Sequence, residues 1–329
     1  MKYLIINADD FGLSPGVNQG IIEAYQAGGI SSTTLMVNTP GFEDAVRLAG
    51  LHPELGVGLH VNLTYGRPVS DPGLVPSLVQ ADGHFLPVSE IYRRELHEIE
   101  IELTAQWERF TATGLRPTHL DAHHHLHQVF PDVYEAMVRL AAKEGIAMRR
   151  LQQPHSRSEN SAGLPLTTNR VVLDTYEADH GLQKLLHYLR NLQHGSTELM
   201  CHPGYVDEPL RAISAMTTER ESDLAVFRSP AVSRTIRALG IHLIHYGMLG
   251  SAENRVEPAE SEAVTNEDIV PPAPRRTLTK RKSSGNRKLK SRLLARRKRR
   301  RLGIPTKKPR IIARKKKRSR RTAALPIFK

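Results

Sequence analysis

Three short segments concentrate side chains able to bind a metal and move protons: NADDFG at Asn7 to Gly12, GLHVNL at Gly58 to Leu63, and THLDAHHHLH at Thr118 to His127. Adjacent carboxylates (Asp9, Asp10), an isolated histidine (His60) and a histidine cluster make up the inventory of a divalent-metal hydrolase. Water is a poor nucleophile until a cation acidifies it and a base takes its proton. Singly, each group has a plainer reading. His60 reads as a hydrogen-bonded core residue, and Asp9 or Asp10 as the cap of a helix starting near Pro15. Together they favour a metal site built from imidazole and carboxylate donors.

The elements that must position them follow from the alternation of apolar runs and amphipathic stretches. Strands are predicted at Tyr3 to Ile6, Thr33 to Val37, Val57 to Leu63, Thr118 to His123, Ile146 to Leu151, Glu198 to Cys201 and His242 to Tyr246. Helices are predicted at Val17 to Gln26, Phe42 to Leu51, Ile91 to Thr113, Pro131 to Glu144, Gly181 to Leu192 and Glu221 to Leu239. Repeated β-α units favour a closed or nearly closed parallel barrel over an open sheet. Asp9 and Asp10 then follow the first strand, His60 and His123 end later ones, and His202 follows the Glu198 strand. All fall at carboxyl ends of strands, where barrel active sites assemble. Alternation along an extended Thr118 segment puts His119, Asp121, His123 and His125 on one side and His124 on the other. His123 is the preferred ligand, Asp121 is placed to orient a ligating imidazole, and His124 and His127 are read as packing or loop residues.

NADDFG with Ser14 and Gly16 following, GLHVNLT, THLDAHHHLH, and MCHPGYVD from Met200 to Asp207 resemble the YdjC-type carbohydrate deacetylases, also called chitooligosaccharide deacetylases. The resemblance covers roughly Met1 to Gly250. It implies an α/β fold, a modified (β/α) barrel related to polysaccharide deacetylases, that binds one divalent cation and removes acetyl from an N-acetylated amino sugar. Carried over by motif, Asp10, His60 and His123 hold the metal and Asp9 is the general base. His202 is the candidate acid for the departing amine, since imidazole titrates near neutrality. Asp207 is placed to orient His202 or to meet sugar hydroxyls. Magnesium and zinc both suit two imidazoles and one carboxylate with open positions, as do manganese and iron. The long excursion Gly66 to Pro87 is expected to cover the sugar as a lid.

Composition splits the chain. From Arg275 to Lys329 there are 26 Lys or Arg and no acid, so the preceding body holds 21 basic against 34 acidic residues beneath a formal net charge of +13. The expected organisation is a deacetylase domain over 1–250, a linker over 251–274 rich in Glu, Ala, Pro and Ser, and a polybasic, disordered tail over 275–329. Such a tail suits nonspecific nucleic acid, another polyanion or anionic lipid, and its lack of aromatic residues before Phe328 argues against base stacking. The lone Cys201 excludes an intrachain disulfide, and the opening apolar run is too short for a signal or membrane segment, so a cytoplasmic protein is expected. Two other functions compete with amide hydrolysis: a metal-dependent hydrolase of another ester, amide or phosphoester, and a nonenzymatic polyanion binder acting through the tail.

Overall fold

The computed structural model describes residues 1–153, 164–177 and 179–253. The linker from Asn254 onward and the polybasic tail fall outside the described residues. Among the described residues, eight strands form one sheet in which every pairing is parallel: β1 (Lys2–Phe11), β2 (Ser32–Leu35), β3 (Gly56–Val61), β4 (His119–Ala122), β5 (Ala147–Met148), β6 (Arg170–Val172), β7 (Gly195–Cys201) and β8 (His242–Leu243). Their order is β5-β4-β3-β2-β1-β7-β6, with β8 also on β1. The sheet curls into a half-barrel, and β5 and β6 are its two edges. β7 occupies one side of β1 from Lys2 to Ala8, so the other side is shared, Tyr3 and Leu4 pairing with β8 and Asn7 onward with β2.

The period-two rule sorts β1 into two faces. Leu4, Ile6 and Ala8 join the main core against the helices, whereas Tyr3 and Ile5 join a smaller cluster with Ala147, Ile244, Tyr246 and Leu249 inside the barrel. The helices α1 (Pro15–Gln26), α2 (Phe42–Leu51), α3 (Leu96–Thr111), α4 (Leu126–Val129), α5 (Pro131–Glu144), α6 (Gly181–Arg190), α7 (Glu208–Ile213), α8 (Thr218–Phe227), α9 (Pro230–Ala238) and α10 (Leu249–Glu253) accompany the sheet. None of them is long and apolar enough to cross a membrane. Ser14, not Asp9 or Asp10, caps α1, accepting from Val17 N at 3.3 Å.

Several boundaries differ from the sequence reading for identifiable reasons. The expected helix Glu221 to Leu239 is two helices, because Pro230 lacks the N–H needed to continue α8 and instead opens α9 behind the Ser229 cap. β6 and α7 were not expected, since three residues and six residues are too short for a periodic signal. The segment after β8 turns beneath the barrel, with Ile244 N donating to Leu4 O at 2.8 Å and Ser31 Oγ to Ile244 O at 2.6 Å. That segment brings Tyr246 under the barrel interior, where its ring stacks on His119 at 3.9 Å between centroids.

Candidate active site

Asp9 and Asp10 lie inside β1 and do not follow it. In a regular strand they would point to opposite faces. Asp10 instead adopts φ 70°, and the pairing with β2 slips between Ala8 and Phe11, an extra residue on β1 that amounts to a bulge. Aspartate tolerates this left-handed backbone better than most side chains. The result is that both carboxylates serve one site: Asp9 continues the inward row of Tyr3, Ile5 and Asn7, and Asp10 reaches His60 and His123.

Asp10, His60 and His123 each offer a ligand atom, and these atoms all lie within 4.8 Å of one another. Asp10 Oδ1 is 3.1 Å from His60 Nε2 and 2.9 Å from His123 Nδ1, while the opposite nitrogen of His60 meets Asp121 Oδ1 at 2.6 Å. Asp121 therefore orients His60, the imidazole on the neighbouring strand at its paired position. Against burial, which alone would lower it, Asp121 and Asp10 raise His60 to about 10. The extended alternation expected through His123 stops short, because β4 ends at Ala122. His123 begins a 3-10 turn in which His124 and His125 take φ 54° and 51°, and this strained double turn accompanies the His123 contact with Asp10. His124 stays exposed with Nδ1 2.9 Å from Thr64 Oγ1, and burial lowers His125 to about 3.

A second group, Asp9, His60 and Asp121, has comparable spacing but already holds a cation. Arg149 grips Asp9 with two bonds of 2.7 and 2.6 Å and reaches Asp121 Oδ2 at 2.9 Å and Glu198 Oε1 at 2.8 Å. Arg220, from α8, binds the oxygen of Asp10 that faces away from the histidines, at 2.6 Å. Burial would raise both aspartates, but Arg149 holds Asp9 well below the carboxylate range and Arg220 does the same for Asp10. Four buried carboxylates thus face two guanidiniums, and the donor set of one carboxylate and two imidazoles fits a divalent cation at Asp10, His60 and His123. Sequence reasoning missed Arg149, Arg220 and Glu198. Lone charged residues in a strand or helix carry no motif signal, and their roles come from tertiary contact.

His202 follows β7, its backbone N donating to Asp223 Oδ2 at 2.9 Å. Burial lowers its imidazole to about 4 despite Asp10 and Asp9 nearby. The turn carrying it packs closely on α1: a Cβ on Gly20 would sit 2.6 Å from Gly204 Cα, so this approach requires glycine. Asp207 is engaged elsewhere, accepting from Gly16 N at 2.6 Å and Leu210 N at 2.9 Å as the cap of α7. The Gly66 to Pro87 excursion is pinned rather than free, because Glu102 accepts from Val69 N and Ser70 N, both at 2.9 Å, and Glu98 accepts from Ser77 N at 2.6 Å.

The sequence model of the YdjC-like proteins matches residues 3–238, which spans every one of these site residues. The chain belongs to the YdjC-like family. Curated relatives include the carbohydrate deacetylase of Geobacillus stearothermophilus, 42% identical over 251 residues that make up 74% of this chain and 97% of the relative. The carbohydrate deacetylase of Brevibacillus brevis is 37% identical over 249 residues, 75% of this chain and 99% of that protein. Among solved structures, one from Enterococcus faecalis V583 superposes with a TM-score of 0.71 at 31% identity, covering 75% of this chain and 98% of that one. The YdjC-like resemblance carried by the motifs and the α/β modified barrel it implied are both borne out, the sheet forming a half-barrel rather than a closed one.

Proposed function

We propose that this YdjC-like protein is a metal-dependent hydrolase that removes acetyl groups from N-acetylated amino sugars or short oligosaccharides. The observation that carries the reading is the division of labour at β1: Asp10 joins His60 and His123 in a donor set for one divalent cation, while Asp9, its neighbour, is held apart by Arg149. The family relatives named as carbohydrate deacetylases supply the substrate class.

Asp10, His60 and His123 would hold the cation, magnesium or zinc. When bound it supplies Lewis acidity for the acetamide carbonyl and for attacking water. Asp9 acts as general base. Its bidentate contact with Arg149 keeps it ionised, so it is ready to accept a proton, at the cost of low intrinsic basicity. Asp121 fixes the tautomer of His60 so that Nε2 faces Asp10. His202 is the acid for the leaving amine. Lowered to about 4 it starts neutral near pH 7, so it donates a proton only after receiving one during the reaction. The domain reading takes 1–250 as the catalytic unit from the extent of the YdjC-like resemblance, and the linker and a polybasic tail that binds polyanions without sequence preference from the charge division. A cytoplasmic location completes it.

Acetate release from N-acetylglucosamine oligomers tests this directly. The protein treated with chelator should be inactive and should recover on adding magnesium or zinc. Unchanged turnover after removal of bound metal, or activity only on phosphoesters, would overturn the assignment.

A further inference from the structure

Of the three candidate metal donors, the side chains of Asp10 and His60 are 2% and 1% exposed, whereas that of His123 is 13% exposed. Whatever reaches the donor set from solvent therefore arrives past His123. His124 stands at that entrance: it is exposed, and its ring lies over the His123 ring with 4.0 Å between centroids and 33° between planes. Placing an imidazole there takes a left-handed backbone at His124 and again at His125, which is uncommon for any residue but glycine. Such strain persists where the surrounding structure enforces it, and it concentrates at functional sites.

A buried polar relay that begins on α3 supplies the enforcement. Gln106 clamps the backbone of Asn62 from both sides, Asn62 N donating to Oε1 at 3.0 Å and Nε2 donating to Asn62 O at 2.6 Å. Nε2 also donates to Glu102 Oε1 at 2.7 Å, which decides which way round the Gln106 amide sits. The side chain of Asn62 then folds the chain after β3 into a turn. Its Oδ1 accepts from Thr64 N at 3.1 Å and Tyr65 N at 3.0 Å, and its Nδ2 donates to Tyr65 O at 2.8 Å. That turn sets Thr64 Oγ1 2.9 Å from His124 Nδ1. The other acceptor for the Thr64 hydroxyl, Asn62 Oδ1, is 3.5 Å away and already holds two N–H groups. The hydroxyl therefore donates to Nδ1, and the ring hydrogen of His124 sits on Nε2, which has no hydrogen-bond partner among the described residues.

We propose that His124 is a specificity-determining residue that donates a hydrogen bond from Nε2 to a ring hydroxyl of the sugar, and that Thr64, Asn62 and Gln106 are positioning residues for that donor. The inference rests on the deacetylase reading and names the group recognised beside the acetamide. With the acetamide at Asp10, His60 and His123, its neighbour on the sugar ring lies next to the imidazole stacked on His123. In an oligomer of 2-acetamido sugars the free neighbour is the 3-hydroxyl, because the 1-oxygen is taken by the glycosidic bond. A site that donates to a hydroxyl rejects the analogue lacking it, since the donor is then left unpaired.

The test gives the full chain, loaded with magnesium or zinc, the disaccharide of N-acetylglucosamine and the same disaccharide lacking its 3-hydroxyls. The wild type should prefer the complete sugar by about tenfold in kcat/KM, chiefly through KM. His124→Gly, whose backbone accepts the left-handed conformation, should treat the two sugars alike while still binding one divalent cation per chain. His124→Phe keeps a ring over His123 without the N–H and should behave in the same way. Thr64→Val should lose part of the preference, and Thr64→Ser, which restores the hydroxyl, should recover it. A wild type indifferent to the 3-hydroxyl, a preference that survives in both His124 variants, or loss of the cation from His124→Gly would overturn the proposal. If the wild type releases no acetate the deacetylase reading fails by itself. Calorimetric binding of the two disaccharides then decides, tighter binding of the complete sugar by the wild type alone supporting the contact and equal behaviour of wild type and His124→Gly overturning it.

Discussion

Asp9 and Asp10 are neighbours in sequence and occupy two unlike environments. Asp9 belongs to a closed cluster whose cation, Arg149, comes with the chain and lies against three carboxylates, Asp9, Asp121 and Glu198. Asp10 belongs to an open one: Arg220 takes its outer oxygen, and the inner oxygen faces two imidazoles with room in the donor set for a cation from solution. A single bulged residue creates the difference. On the proposed reading, two equal carboxylates are separated into base and ligand by which cation each is given rather than by their own chemistry.

The comparison breaks most completely if the open cluster is not a metal site. His123→Ala, removing a donor from Asp10's cluster alone, should abolish both bound metal and turnover, as elemental analysis and acetate assay would show. The closed cluster should answer differently. Arg149→Met leaves Asp9, Asp121 and Glu198 buried without their shared counter-charge, and denaturant unfolding should register a loss of about 3–5 kcal/mol. A stable Arg149→Met protein would mean that this cluster does not need its guanidinium. Asp121 touches both clusters, bonding His60 on one side and Arg149 on the other. Asp121→Asn should therefore weaken metal affinity by about 10–100-fold without abolishing it, measured by competition with a chromophoric chelator.

Much of this was legible in the chain. Helices Phe42–Leu51 and Pro131–Glu144 coincide with their predicted spans because Gly41, Pro131 and Gly145 mark the ends chemically. The three candidate ligands come together as their motifs implied. What was hidden has physical causes. Alternation through Ala122 to His125 presumed extended backbone, and two consecutive left-handed histidines are not visible in a side-chain pattern. Asp207 beside a histidine turn looked like its partner, yet its capping of α7 depends on a helix too short to be foreseen. Arg149 in the run AMRRLQQP gave no hint of burial, since its three carboxylates come from β1, β4 and β7 and only sheet order brings them to one nitrogen fork.

Calorimetric titration of magnesium or zinc into the wild type, Asp9→Asn and Asp10→Asn proteins tests the separation of the two aspartates most directly. One divalent cation per chain should bind to the wild type and to Asp9→Asn, the latter releasing little or no acetate, and binding should be lost in Asp10→Asn. Equal binding by all three proteins, or loss of binding in Asp9→Asn with retention in Asp10→Asn, would contradict the assignment of ligand and base.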